Sequence, residues 1–291
     1  MKVSELPEIS SKPKPVRKIH GNDSSYVTDT LSVEEPLEIR IGYGPVENRI
    51  QKSISVTMRT PGDDGELAAG FLFTEGIISS YNQVEKINGI AIDCSSGKNN
   101  IVQVELRGDF TPRLMQTDRN FYTTSSCGVC GKASIESIRT VSPFLSIEKN
   151  ALQLSTRVLY QLPHKLRSNQ SCFSATGGIH AAGIFTTDGQ LVVLREDVGR
   201  HNALDKLIGA ALRDHSLPLD QHILLLSGRA SFELIQKAAM AGIAVVAAIG
   251  APSTLAVELA AEFNITLLGF LKENRFNIYH SCKRTVIADI T

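Results

Sequence analysis

Residues Ile223 to Phe270 read ILLLSGRASFELIQKAAMAGIAVVAAIGAPSTLAVELAAEFNITLLGF. Three short apolar runs, Ile223–Leu226, Ile243–Ile249 and Ile265–Phe270, are separated by two segments with helical spacing, Phe232–Ala241 and Thr254–Phe263. An apolar run without a polar face is what a strand covered on both sides requires. Strands that alternate with single helices specify a three-layer α/β sheet with right-handed crossovers. No side chain from Ala238 to Val257 is charged, which is long enough to raise a membrane span. Gly242, Gly250, Pro252, Ser253 and Thr254 interrupt that stretch, and Ala dominates it, so a buried strand between two helices is the better reading.

Upstream, the stripe Leu154, Val158, Leu159, Leu162 predicts a helix over Leu152–Leu166. Ile179–Phe185 and Gln190–Leu194 flank Thr187-Asp188-Gly189, a hairpin signal. Leu204, Leu207, Ile208, Ala211 and Leu212 define an amphipathic helix with Asp205, Lys206 and Arg213 expected outward. The first half reads as a smaller mixed α+β unit. Its strands are Leu37–Ile41, Ile54–Met58, Val84–Ile92 and Ile101–Leu106, and its helix is Glu66–Thr74, closed by Gly76. Thr111–Ser126 is polar and crosses to the second half. The expected organisation is a flexible tail over 1–25, the α+β unit over 26–140 and the α/β sheet over 141–291.

Composition narrows the function. The 291 residues are 42% hydrophobic and 21% charged, ordinary for a globular chain. Thirty Lys plus Arg balance thirty Asp plus Glu, which argues against bulk attraction to nucleic acid or an anionic membrane. Tryptophan is absent and aromatics are only 6%, a poor supply of stacking platforms. Met1–His20 mixes Pro7, Pro13 and Pro15 with basic residues and has no secretory apolar core. Five cysteines, of which only Cys127 and Cys130 are close, do not make a disulfide framework, so a reducing, cytoplasmic setting is expected.

The sharpest local feature is Ser125-Ser126-Cys127-Gly128-Val129-Cys130-Gly131-Lys132. Ile135 and Ile138 suggest that a helix starts just beyond it. A thiol near a helix N-terminus and a lysine ionises more readily, and the thiolate is the nucleophile. Four readings stay open on these residues: a redox dithiol, half of a zinc site with His180, a structural pair, and a persulfide carrier. A zinc deaminase would place a glutamate two residues after the histidine, where this chain has Ala182. No metal site is therefore expected.

Three more polar segments stand at strand ends, where open α/β sheets bind ligands. They are Arg195-Glu196-Asp197-Val198-Gly199-Arg200-His201-Asn202, Ser227-Gly228-Arg229-Ala230-Ser231 and Phe270-Leu271-Lys272-Glu273-Asn274-Arg275. The second opens a helix, whose N–H groups with Arg229 suit a phosphate, but the Gly-Lys-Ser/Thr element of a Walker loop is missing. Each also has a plain reading, as a capped helix with surface ion pairs or a polar loop.

Ser126–Ser134, Thr176–Ala182, Arg195–Gly209, Ser227–Glu233 and Ala251-Pro252-Ser253 together resemble the formate dehydrogenase accessory sulfurtransferases, the FdhD family, from about Leu37 to Tyr279. The resemblance implies a cytoplasmic, usually dimeric protein whose sheet domain is of cytidine-deaminase-like type. It implies that a cysteine desulfurase loads sulfane sulfur as a persulfide on Cys127, with Cys130 as its partner in the site. The sulfur then goes to a molybdenum bis(molybdopterin guanine dinucleotide) cofactor, bound as substrate, before that cofactor enters the formate dehydrogenase apoenzyme. The family's cofactor-binding segment falls on Phe270, Leu271, Lys272, Glu273, Asn274 and Arg275. Arg229, Lys272 and Arg275 then suit its phosphates, and Glu196 or Asp197 its guanine.

Overall fold

The computed structural model describes residues 10–90, 100–114, 143–144 and 151–288. Its largest sheet is built around the quoted stretch. Strands β10 (His222–Leu226), β11 (Val245–Ala248) and β12 (Thr266–Lys272) run parallel, joined by α5 (Phe232–Met240) and α6 (Thr254–Glu262). β8 (His180–Thr186) lies antiparallel beside β10 and continues through a hairpin into β9 (Leu191–Asp197). β13 (Arg275–His280) closes the other edge, giving the order β13-β12-β11-β10-β8-β9.

Alternation along each strand decides what covers each face. Leu224, Leu226, Val246 and Leu267 face a cluster that includes α4 (Arg200–Arg213), α5 and α6. Ile223, Leu225, Ala247 and Leu268 face the other way, onto Leu159, Leu162 and Leu166 of α2 (Thr156–Asn169). The uncharged stretch Ala238–Val257 supplies the end of α5, all of β11 and the start of α6, and among the described residues no helix is long and apolar enough to cross a membrane.

The first half holds a four-stranded sheet, β4-β3-β6-β5, made of β3 (Glu35–Tyr43), β4 (Ile50–Arg59), β5 (Val84–Ile90) and β6 (Ile101–Leu106). α1 (Asp64–Thr74) lies between this sheet and α4, and Leu37, Leu67 and Val104 share one apolar cluster with Leu207 and Leu234. The two halves therefore bury a common core. The expected boundary at 140 lies outside the described residues.

Four expectations need correction. The stretch expected as a flexible tail contains β1 (Ser11–His20), paired along its length with β2 (Asp23–Ser32). Its prolines stand on an edge strand, where a missing N–H costs nothing. Leu152–Ser155 is not helix but strand β7, parallel to β14 (Thr285–Ala288), so the helix starts only at Thr156. Asp205 and Lys206 are buried, not outward, because α1 covers the side of α4 away from the large sheet. Phe270–Arg275 is not a loop: β12 runs to Lys272, which pairs with Arg275 at the head of β13.

Candidate functional site

One edge of the large sheet gathers the three polar segments. Parallel β10, β11 and β12 all end there, and antiparallel β8 begins there with His180 opposite Asp197, the last residue of β9. The crossing loops are stitched together by backbone bonds. Ser227 N–H donates to Ala181 O at 3.0 Å, Gly250 N–H to Gly228 O at 3.0 Å, and Phe270 N–H to Gly250 O at 3.1 Å. Ser227 Oγ accepts from Ala181 N–H at 2.8 Å, which holds the β10 loop against the start of β8. Helices α4, α5 and α6 each start on this edge, after Gly199, Ser231 and Ser253. Three N-terminal ends therefore present partial positive charge to the same place.

The side chains at this edge fall into two groups. The first group is spent on structure. Asp197 is fully buried; Lys206 Nζ lies 2.8 Å from its Oδ2, and it accepts N–H bonds from Thr60, Gly199 and the Asn202 amide. Glu196 accepts from the N–H groups of Cys172 and Phe173 at 2.9 Å each, at the head of α3 (Ser171–Thr176). Burial pushes the Glu196 carboxyl up, with those two N–H bonds acting against the shift. Arg195 makes a bidentate pair with Glu66 on α1 at 2.6 and 2.9 Å. Both carboxylates are thus engaged within the scaffold.

The second group is less engaged within the scaffold. His180 is half-buried and near Arg200 and His201; burial first, then the electrostatic influence of these neighbours, pushes its pKa down and favours the neutral imidazole. His201 Nε2 lies 2.7 Å from Glu233 Oε2 and 3.3 Å from Ser231 Oγ, tying the head of α4 to the head of α5. Arg200 has a buried Nε without a hydrogen-bond partner among the described residues. Arg229, Lys272 and Arg275 are exposed and make no ion pair among the described residues. Sequence reasoning quoted Arg200 and His201 but did not separate them from Glu196 and Asp197. Only burial and pairing make that distinction, and a one-dimensional string of charges carries neither.

The segment Phe270–Arg275 divides in the same way. Phe270 has a left-handed φ of 54° and remains 38% exposed, whereas Leu271 is fully buried in the α2-side core. The Leu271 side chain therefore anchors the turn, while Lys272, Glu273, Asn274 and Arg275 are exposed. Glu273 also borders a groove of about 560 Å³ along α2, lined by Arg157, Tyr160 and His164. Cys127 and Cys130, with Lys132 beside them, lie outside the described residues. The remaining described cysteines, Cys172 and Cys282, are buried and free, and burial pushes the Cys172 thiol up, away from thiolate.

Comparison with known proteins decides the family. The model of the FdhD/NarQ family matches residues 32–286. This chain belongs to the FdhD/NarQ family. It is 52% identical over 258 residues to the sulfur carrier protein FdhD of Mycolicibacterium paratuberculosis, covering 88% of this chain and 92% of that one. It is 47% identical over 274 residues to the sulfur carrier protein FdhD of Streptomyces coelicolor, covering 94% of each. In fold it is similar to a crystal structure of a formate dehydrogenase accessory protein from Desulfotalea psychrophila, with a TM-score of 0.68 over 95% of this chain and 99% of the other. At 22% identity that likeness speaks to the fold alone. In this chain the three polar segments stand on one sheet edge, with the apolar strands of the quoted stretch as their support.

Proposed function

We propose that this FdhD/NarQ protein is a sulfur carrier that takes sulfane sulfur onto Cys127 as a persulfide. It then delivers that sulfur to a molybdenum bis(molybdopterin guanine dinucleotide) cofactor destined for formate dehydrogenase. The observation that carries this is a Cys-x-x-Cys segment, Cys127–Cys130, inside a chain 52% identical to a sulfur carrier protein over 258 residues. Loading needs only a thiolate and a donor. Cys127 attacks the terminal sulfur of a cysteine desulfurase's persulfide; a new S–S bond forms, the donor's bond breaks, and the donor cysteine leaves as thiolate.

The sheet edge supports the second half of the reading. A dinucleotide substrate carries diphosphates, and the edge offers the exposed cations Arg229, Lys272 and Arg275 beside the half-buried Arg200. Charge-assisted bonds from guanidinium groups and helix N-termini are the contacts that such anions take. We read the large sheet as a cytidine-deaminase-like scaffold put to binding. The residue two after His180 is the fully buried Ala182, so the carboxylate that deamination needs is missing.

The test is complementation of formate dehydrogenase activity in a strain lacking its own FdhD. The Cys127→Ala variant is expected to be folded, to bind guanosine diphosphate and to leave the enzyme inactive. Near-normal activation by that variant would replace the carrier with a cofactor-binding chaperone that does no covalent chemistry.

A further inference from the structure

We infer that the solvent face of α2 is a docking site for a short acidic segment of a partner protein, seated in the groove between that helix and the β12–β13 turn. The inference does not rest on the sulfur-carrier reading. Over the whole chain thirty cations balance thirty anions, yet α2 carries Arg157, Lys165 and Arg167 and no Asp or Glu. Helix formation does not account for this bias, since Arg157 stands in the first turn, where a cation opposes the helix dipole.

The helical period decides which residues meet a partner. Leu159, Leu162 and Leu166 point into the core on the α2 side of the large sheet. Arg157, Gln161 and His164 are exposed and line up on the opposite side of the helix. Tyr160 flanks that row, its ring tilted against Phe276 of β13 with the centroids 5.8 Å apart. With Glu273 these residues line the groove of about 560 Å³. Arg157, Tyr160, Gln161 and His164 have no side-chain hydrogen bond or ion pair among the described residues. Lys165 differs: its Nζ donates to Gly189 O at 2.6 Å and lies near Asp188, so it shapes the wall.

A row of unused donors calls for an occupant rich in acceptors. Guanidinium, phenol and amide donors all suit carboxylates, and a guanidinium can take both oxygens at once. From Arg157 to His164 the helix rises about 10 Å, a length that an extended peptide of about three residues spans. Glu273 is the one acid of the lining. It repels the dense charge of a phosphate, whereas against a peptide it can accept a backbone N–H. That mixture favours an acidic peptide over a nucleic acid.

The experiment is fluorescence anisotropy of a fluorescein-labelled tetraglutamate peptide with the full chain at low salt, where exposed charge pairs count most. The parent is expected to bind it and to leave the tetraglutamine peptide unbound. Arg157→Glu and Gln161→Glu, with unchanged urea midpoints, are each expected to bind it at least about fivefold more weakly. Arg107→Glu, the same charge reversal on an exposed residue just after β6, is expected to bind as the parent does. No binding by the parent at about 1 mM peptide overturns the assignment. Equal binding by the parent and Arg157→Glu does so as well. Displacement of the peptide by guanosine diphosphate or by an oligothymidylate overturns it too, by giving the groove to the nucleotide site or to nucleic acid.

Discussion

Gly70 of α1 and Gly209 of α4 face each other where the two helices cross. A Cβ on Gly70 would stand 1.9 Å from Asp205 O, and one on Gly209 would stand 1.9 Å from Glu66 O. Backbone meets backbone here, and no side chain can turn aside to make room. This crossing joins the two halves of the chain and fixes the start of α4, hence Arg200 and His201, relative to the first sheet.

Gly209→Ala is therefore expected to destabilise the protein by about 3 kcal/mol or more, at the upper end of what overpacking a core costs. Urea unfolding checks it. A change under about 0.5 kcal/mol, the ordinary range for a surface site, would mean that the helices part easily.

Next to that crossing, Lys237 Nζ lies 2.9 Å from both oxygens of the buried Asp205, whose Oδ1 also accepts from Thr74 Oγ1 at 2.9 Å. Lys237→Met leaves the carboxylate buried and unpaired, a loss of about 3–5 kcal/mol. The double variant Asp205→Leu with Lys237→Met removes both charges and is expected to recover much of that loss. Additive losses in a double-mutant cycle would contradict the pairing.

The pH dependence follows from His180. Burial, with Arg200 and His201 nearby, holds its native pKa below the ordinary 6.5. The native state thus prefers neutral imidazole. Stability from this group is complete above 6.5 and is lost as pH falls through the lowered native value. His222, also lowered by burial, acts in the same direction. His180→Gln should flatten, without abolishing, the fall in stability on acidification, measured by urea midpoints at several pH values below 6.5. An unchanged slope would show that His180 is not buried as described.

The sheet edge makes a binding prediction. Arg229→Ala or Arg275→Ala removes a charge-assisted contact worth about 1.5–3 kcal/mol when a phosphate occupies it, so guanosine diphosphate should bind roughly tenfold more weakly or worse. Calorimetry with guanosine and adenosine diphosphates is the check. Equal affinity of the parent for both nucleotides would count against a guanine dinucleotide as substrate.

Much of this was legible in the sequence because it was local. The runs Ile223–Leu226, Ile243–Ile249 and Ile265–Phe270 became β10, β11 and β12 within a few residues at either end, and both helices between them formed as their spacing requires. The misses share a physical cause, a partner far away in the chain. Leu152–Ser155 is a strand because Thr285–Ala288 lies beside it, and Lys206 is buried because Asp197 and the Thr60 carbonyl await it. At the sheet edge, the three polar segments that the sequence marked do meet, and within them Glu196, Asp197 and the Leu271 side chain are bound into the scaffold. His201 owes its place to Glu233, thirty-two positions on, a pairing that no spacing rule marks.

The central claim is that Cys127 carries sulfur. The most direct test is intact mass of the purified protein after incubation with a cysteine desulfurase and cysteine. A gain of one sulfur atom that maps to Cys127, disappears on treatment with cyanide and is absent from Cys127→Ala is the predicted result. No added sulfur on the parent chain, or the same gain in Cys127→Ala, would contradict it.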